Sequence, residues 1–143
     1  MKPVVLLIPG MLNTSAVWDA VVSLLKDEAD LRIANVQTQS SIADMAHDAW
    51  SLLENVAETT PVVVCGFSMG GYVAIDMVAQ PKRAMDGLVL LDTSARPESP
   101  GGVIARAKTI AAFERNFAKV VENMLPFITH SENHQNAAMF VTL

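Results

Sequence analysis

The sequence lacks cysteine pairs, long apolar runs and an excess of basic residues. Its 143 residues include one cysteine, Cys65, which excludes an intramolecular disulfide and argues against a thiolate metal cluster. No apolar run approaches the roughly 18 to 20 residues that span a bilayer. Ten basic and 15 acidic residues give a net charge of −5, without the basic stripe that a phosphate backbone requires. We therefore expect neither a membrane protein nor a nucleic-acid-binding protein.

The composition is that of a globular protein with a sizeable core. The chain has the length of about one ordinary domain, and 51% of its residues are hydrophobic. The apolar residues 4–8 follow Met1-Lys2-Pro3 directly, but they are too few for a secretory signal and no small-residue cleavage site follows. We therefore expect a cytoplasmic protein. Cys65 ends an apolar run, which predicts a buried structural thiol rather than a reactive one.

Strand-like and helix-like segments alternate over the first 92 residues. Continuous aliphatic runs and helical periodicity predict strands at 4–8, 31–36, 62–65 and 88–91, and helices at about 14–27, 42–58 and 69–79. Strands that are separated by helical segments of a dozen or more residues favour right-handed crossovers. The pattern thus predicts an α/β fold, a parallel sheet with helices on its faces.

The composition changes after this alternating region. Residues 96–102 are rich in proline and glycine, which predicts an exposed connection. Beyond it, residues 104–125 predict one amphipathic helix with apolar side chains such as Ile110 and Phe117 inward, and Pro126 is expected to end it. We therefore divide the chain into an N-terminal core of residues 1–96 and a helical part of residues 97–143.

The most informative motif is Gly66-Phe67-Ser68-Met69-Gly70, between a predicted strand and a predicted helix. A sharp turn that carries a serine requires strained backbone at that serine, and glycine two residues to either side avoids steric clashes. The turn would lift Ser68 clear of the sheet at a helix N-terminus, where amides favour developing negative charge. This context favours a nucleophilic serine over a merely structural turn.

Three segments resemble the α/β-hydrolase fold superfamily, in particular its small esterase-like and aminopeptidase-like members. They are the motif at 66–71, residues 7–14, which are similar to the family's oxyanion loop, and residues 90–97, which look like the strand leading into the lid. The resemblance implies that Ser68 attacks a carbonyl carbon. It also implies that the oxyanion receives the main-chain N–H groups of Met69 and Met11, with Leu12 as the fallback. Residues 97–143 would be a partial lid.

The resemblance also implies catalytic partners for Ser68. In this superfamily an acid and then a histidine follow the nucleophile along the chain. Asp92 ends the strand after the motif and is the candidate acid; alternatively, it orients the turn into Thr93 and Ser94. The chain therefore resembles a member that lacks the C-terminal part of the fold.

The chain has three histidines, at positions 47, 130 and 134. His47 is expected to be a solvated helix residue, and the other two fall in the tail, where reaching Ser68 is not expected. Their i, i+4 spacing is compatible with a metal ligand pair, but no carboxylate-rich pattern accompanies it. We therefore expect no metal site and no cofactor.

Two functions from different classes remain open. The first is a serine hydrolase that opens an ester, thioester or small amide through an acyl-serine intermediate, on a small-molecule substrate with an acyl or aryl group. The second is a catalytically silent hydrolase fragment that binds a partner or needs complementation by another chain. An open sheet edge at residues 88–91 would favour a homo-oligomer, through that edge or through the helix of residues 104–125.

Overall fold

A computed structural model describes residues 2–134 of the chain, which form two compact units that meet between Ala95 and Arg96 in the sequence. The first unit contains β1 (Val4–Ile8), a 3₁₀ turn (Ser15–Trp18), α1 (Asp19–Leu25), β2 (Asp30–Ile33), α2 (Ile42–Ser51), β3 (Val62–Phe67), α3 (Met69–Ala79) and β4 (Gly87–Leu91). The second unit contains α4 (Pro100–Ile128) and a 3₁₀ turn (Ser131–Asn133).

The four strands form one parallel sheet in the order β2-β1-β3-β4, which confirms the predicted α/β fold. The chain leaves β1 towards β2 on one side and then returns to β3 on the other side. The order of the strands therefore reverses between β1 and β3. In open α/β sheets, ligands bind at the carboxyl ends of the strands at such a reversal. The loops after β1 and β3 are accordingly the first place to look for a site.

One face of the sheet carries the larger core. Alternate residues of β1 and β3, including Leu6, Ile8 and Val64, are buried there with residues of α2 and α3 such as Trp50 and Met77. Because side chains alternate between the faces of a strand, the same runs are apolar on both faces. The continuous aliphatic sequences are thus explained by a sheet that is covered on both sides.

The opposite face holds a smaller cluster of Leu7, Trp18 and Cys65. Trp18 meets Phe67 edge to face, with ring centroids 6.4 Å apart. The helical segment begins after Thr14 as predicted, but its first turn is a 3₁₀ turn with three residues per turn, and the α-helix itself begins only at Asp19. The tighter turn changes which side chains face the sheet, so Trp18 is buried and Leu24 is 79% exposed.

Helix α2 begins as predicted but ends early. The Ser41 hydroxyl accepts a hydrogen bond from the Asp44 N–H at 3.1 Å, which is the predicted cap. After Ser51 the chain continues in turns, in which the main-chain N–H groups of Leu53 and Val56 each donate a hydrogen bond to the carbonyl three residues earlier. Both side chains are nevertheless buried. The apolar periodicity therefore persisted beyond the helix, and the predicted end near residue 58 was wrong.

Helix α4 departs from the prediction in its start, its continuity, its end and its burial. It begins at Pro100, within the stretch of residues 96–102 that was predicted to be a connection, so that prediction was wrong for residues 100–102. Asn116 has non-helical backbone angles (φ −160°, ψ 86°), and its side chain accepts a hydrogen bond from the Lys119 N–H at 3.1 Å. The residue therefore divides α4 and caps its second segment. Pro126 does not end the helix, which continues to Ile128. No residue of α4 is buried, and Phe117, predicted to face inward, is 57% exposed.

A separate question is whether any helix could cross a membrane. Over residues 2–134, no helix combines the necessary length with sufficient apolar character.

Candidate active site

Ser68 occupies a strained turn between β3 and α3. Its backbone angles are φ 53° and ψ −117°, outside the regions that non-glycine residues normally adopt. Three hydrogen bonds hold this conformation. The Ser68 N–H donates to the Leu91 carbonyl at 2.9 Å, and the Ser68 carbonyl accepts from the Gly71 N–H at 2.9 Å and from the Thr93 hydroxyl at 2.8 Å. Strain of this kind persists only where the surrounding structure enforces it, which is common at functional sites.

The glycines on either side of Ser68 allow a close approach of backbone segments. A Cβ atom added to Gly66 would lie 2.3 Å from the Gly70 carbonyl oxygen, and one added to Gly70 would lie 2.2 Å from the Ile8 carbonyl oxygen. Both distances are shorter than real Cβ contacts, so any side chain would push the segments apart. The steric clash that we inferred from the motif for both glycine positions is therefore present in the structure.

The loop after β1 lies against Ser68. It contains a turn in which the Asn13 N–H donates to the Gly10 carbonyl at 3.2 Å, and Leu12 has a φ of 64°. A positive φ at the third position is the pattern of a type II turn. A Cβ atom added to Gly10 would lie 3.1 Å from the Ser68 Cβ. The loop that carries Met11 therefore meets the turn that carries Ser68.

The two predicted oxyanion donors belong to these meeting segments. Met69 is the first residue of α3, so its N–H is among those that have no acceptor within the helix. Met11 is the second residue of the turn, and its N–H takes no part in the hydrogen bond that closes the turn. Two main-chain donors in segments that meet at a half-buried serine can stabilise an oxyanion.

Asp92 follows β4 and lies between two residues that contact Ser68. The Leu91 carbonyl and the Thr93 hydroxyl both hydrogen-bond the Ser68 backbone. Asp92 is exposed and has a φ of 45°. Among the described non-glycine residues, Leu12, Ser68 and Asp92 are the three that have a positive φ. Each of them lies in the connection that follows the carboxyl end of a strand, β1, β3 and β4 respectively.

The sequence did not reveal the part that Thr93 plays. Besides its bond to the Ser68 carbonyl, its side chain packs against Gly71, where an added Cβ would lie 2.4 Å from the Thr93 hydroxyl oxygen. Gly71, the glycine directly after the motif, was the available signal, because a glycine there indicates a close neighbour at the start of α3. Which residue fills that space becomes visible only when β3 and β4 are paired.

The remaining ionisable candidates lie elsewhere. His47 is an exposed residue of α2 and pairs with Asp48 at 3.5 Å, which confirms the prediction of a solvated helix residue. Hydrogen bonds from Gln39 and then from His47 lower the pKa of the Asp48 carboxyl. His130 and His134 make hydrogen bonds within their own segment, to residues 132 and 129. Among residues 2–134, no group of three or more potential ligands gathers to hold a metal ion.

Cys65 lies in β3, on the sheet face that packs against Trp18. Its thiol is buried, as predicted, and burial raises its pKa. The neutral thiol is therefore favoured, and a thiolate nucleophile is disfavoured at this position.

Comparison with known proteins supports a hydrolase relationship. Residues 32–141 match the family described as serine aminopeptidase, S33. A curated relative is the pimeloyl-[acyl-carrier protein] methyl ester esterase of Nitrosomonas europaea, which is 29% identical over 124 residues. That match covers 82% of this chain and 48% of the relative.

Solved structures agree in fold. A thermophilic esterase from Thermogutta terrifontis is 27% identical, with a TM-score of 0.75 over 97% of this chain and 54% of the esterase. Est816, described as an N-acyl homoserine lactone degrading enzyme, is 17% identical, with a TM-score of 0.71 over 98% of this chain and 55% of its own. At that identity the second likeness concerns the fold alone. This chain spans about half the length of these relatives.

Proposed function

Because this chain belongs to the serine aminopeptidase S33 family of α/β-hydrolases, we propose that it opens an ester, thioester or small amide bond through an acyl intermediate on Ser68. The substrate would be a small molecule with an acyl or aryl group. Relatives described as esterases support ester hydrolysis as the reaction class. The observation that carries the proposal is the strained backbone of Ser68 (φ 53°), which three hydrogen bonds hold in the turn between β3 and α3.

The proposed reaction has two covalent steps. In the first, Ser68 Oγ forms a bond to the carbonyl carbon while the C=O electron pair moves to the oxygen, which the N–H groups of Met11 and Met69 stabilise. Collapse of this intermediate breaks the bond to the leaving group, which departs as an alcohol, thiol or amine with a proton. In the second step, water attacks the acyl-serine, releases a carboxylic acid and restores the Ser68 hydroxyl.

A general base must take the Ser68 proton, since a protonated hydroxyl is a poor nucleophile. We propose Asp92 as the acid of the site, supported by its position between two residues that hydrogen-bond Ser68. His47, the single histidine of residues 2–95, pairs with Asp48 on α2 instead. The base is therefore not assigned within that range.

A fluorophosphonate probe tests the nucleophile directly, because it labels an activated serine irrespective of the substrate. We expect labelling of the wild-type chain at Ser68, identified by peptide mass spectrometry, and its loss in Ser68→Ala. Ser23→Ala, at an exposed position of α1, is the matched control and should label normally. Asp92→Asn should slow labelling if the carboxylate orients the base.

The outcomes separate the proposals. Absence of labelling in the folded wild-type chain would contradict an activated nucleophile in this chain. Equal labelling of Asp92→Asn and the wild type would remove Asp92 from the site while leaving Ser68 in place. Labelling at another serine would contradict the assignment of Ser68 as the nucleophile.

Strand β4 favours a second candidate, a catalytically silent hydrolase that binds a partner or is complemented by another chain. Over residues 2–134, β4 pairs with β3 alone, so its other edge is unpaired. Residues 88–91 are between 39% and 42% exposed, and no proline or charged side chain protects the strand. We therefore also propose a homo-oligomer through this edge or through α4, where several large apolar side chains, such as Ile104 and Phe117, are exposed.

Light scattering at micromolar concentration tests this assembly. Val89→Lys places a charge on the β4 strand, and Val103→Lys places one on an exposed position of α4. Dissociation by one substitution and not by the other identifies the interface, whereas a monomeric wild-type chain contradicts the oligomer.

The expected cytoplasmic location stays a prediction, which fractionation of cells that express the gene would check.

A further inference from the structure

A cavity of about 250 Å³ opens beside the loop that meets Ser68. Residues 9 and 13–15 form one wall, and residues 33–37, at the carboxyl end of β2, form the other. For scale, a cavity of about 150 Å³ accommodates a benzene molecule. The space therefore suits a group of several heavy atoms rather than a single water molecule.

The lining is polar but carries no formal charge. All nine side chains around the cavity are uncharged, and three of them are carboxamides, those of Asn13, Asn35 and Gln37. The Asn35 side-chain oxygen, Oδ1, accepts a hydrogen bond from the Gln37 main-chain N–H at 2.9 Å. Within residues 2–134, however, none of the three carboxamide NH₂ groups donates a hydrogen bond. The cavity therefore offers unused donors, which favour a neutral ligand group that accepts hydrogen bonds.

Asn13 is the residue that connects this cavity with the proposed nucleophile. It is only 8% exposed and is the one buried polar side chain among the described residues. A Cβ atom added to Gly10 would lie 2.8 Å from the Asn13 Oδ1 and 3.1 Å from the Ser68 Cβ. Within residues 2–134 the fully enclosed side-chain polar atoms without a partner belong to Trp18, Trp50 and Arg83, not to Asn13. The Asn13 carboxamide therefore stays accessible from the cavity that it lines, where its NH₂ group can donate a hydrogen bond to a ligand.

The far wall of the cavity is fixed by its own hydrogen bonds. Besides the turn at Asn35, the Gln39 side chain donates to the Asn35 carbonyl at 3.0 Å and to the Asp48 carboxylate at 2.6 Å. These contacts join the loop after β2 to α2. A wall that is held in this way is preformed, so a ligand would not need to order it on binding.

We propose that this cavity binds a neutral, hydrogen-bond-accepting group of the substrate, such as an amide carbonyl, and that Asn13 selects it. The substrate class is thereby narrowed to esters or thioesters with an uncharged polar group a few atoms from the scissile carbonyl. The inference rests on the proposed hydrolase function, because it assigns the cavity to the same substrate that reacts at Ser68.

Binding to the full chain with Ser68→Ala tests the inference without turnover. The probes are methyl 4-acetamidobutanoate and methyl heptanoate, whose acyl chains have the same number of chain atoms but differ in the amide. Side-chain NH₂ signals in ¹⁵N-resolved NMR spectra report contact with the carboxamides. We expect methyl 4-acetamidobutanoate to shift the Asn13 NH₂ signals and to bind more tightly than methyl heptanoate.

Two further substitutions in this background identify the selecting residue. Asn13→Asp keeps the shape but removes the donors and should weaken binding of the amide ester about two- to tenfold, the range for one hydrogen bond. Gln37→Leu, at an exposed position of the rim, is the second variant and carries little risk to folding. Asn123→Asp, at an exposed position of α4, makes the same charge change and should have no effect.

Equal affinity for the two esters would overturn the inference, and so would unchanged binding of the amide ester in folded Asn13→Asp. If Asn13→Asp does not fold, unchanged binding of the amide ester in Gln37→Leu would overturn it instead. Failure of the hydrolase proposal gives a different result. If the fluorophosphonate does not label Ser68 but the preference for the amide ester depends on Asn13, the result supports the proposed cavity site and contradicts the acyl-serine mechanism. If the fluorophosphonate labels Ser68 but the two esters bind equally well, the result supports the acyl-serine mechanism and contradicts the proposed cavity site.

Discussion

The Thr93 hydroxyl donates a 2.8 Å hydrogen bond to the main-chain carbonyl of Ser68, and this bond joins the end of β4 to the turn after β3. The same carbonyl also accepts the Gly71 N–H, and the Ser68 N–H is held by the Leu91 carbonyl. Both polar groups of the strained peptide unit are therefore satisfied. The position of the serine side chain depends on contacts made by residues more than twenty positions later in the sequence.

We expect Thr93→Val to destabilise the chain and to slow reaction at Ser68. Valine keeps the shape of threonine but removes the hydroxyl, which costs about 1 kcal/mol for a typical hydrogen bond. Chemical denaturation measures the free energy of unfolding, and the rate of fluorophosphonate labelling measures the reactivity of Ser68. Thr109→Val is the matched control, because it also removes a hydroxyl-to-carbonyl bond, to Ala105, but within α4. A labelling rate that falls equally in both variants would contradict a positioning role for Thr93.

Gly70→Ala should be the most damaging single methyl addition in the turn. The added Cβ would lie 2.2 Å from the Ile8 carbonyl oxygen, which belongs to the backbone and cannot rotate away. We expect a loss of about 1–3 kcal/mol, typical of overpacking, or more. Gly101→Ala, with no atom within 4 Å of the new Cβ, should be neutral or stabilising because alanine favours the helix. Thermal unfolding compares the two, and similar melting temperatures would show that the turn tolerates a side chain.

Local sequence signals predicted the elements around the site well. The aliphatic run of residues 4–8 forms β1 with the predicted bounds, and the motif separates β3 from α3 at Ser68 as expected. These features depend on hydrophobic patterning and on the steric needs of a sharp turn, both of which are properties of neighbouring residues. Helix ends were less predictable. The chain after Ser51 keeps its apolar spacing while it leaves the α-helical conformation.

The contacts that complete the candidate site are not local. The approach of Gly10 to Ser68 follows from the pairing of β1 with β3, and the bond from Thr93 follows from the pairing of β3 with β4. A sequence pattern contains no distance between two strands. For the same reason, burial of Asn13 in the turn after β1 was not expected, although asparagine is common in turns.

Burial of Cys65 predicts a loss of stability at alkaline pH. Its pKa is raised in the folded chain because burial disfavours the thiolate, whereas an unfolded chain has an ordinary thiol pKa of about 8.5. The folded state therefore holds its proton more tightly, and this contribution to stability is complete below the unfolded pKa and is lost as pH rises above it. Denaturant unfolding between pH 7 and pH 10 should show a decline that is smaller in Cys65→Ala. An identical decline in both proteins would assign it to other groups.

Ser68→Gly should stabilise the fold while it removes the proposed nucleophile. A non-glycine residue at φ 53° and ψ −117° costs about 1–3 kcal/mol, and glycine adopts such angles without a Cβ clash. Part of this gain is offset by the greater entropy of glycine in the unfolded chain, so we expect a net stabilisation of about 1 kcal/mol. Ser68→Ala is the control, because it removes the same hydroxyl but retains the Cβ and its strain. Denaturation of the two variants side by side therefore isolates the backbone term. If Ser68→Gly is no more stable than Ser68→Ala, the turn is not strained, and the structural argument for a functional serine loses its main support.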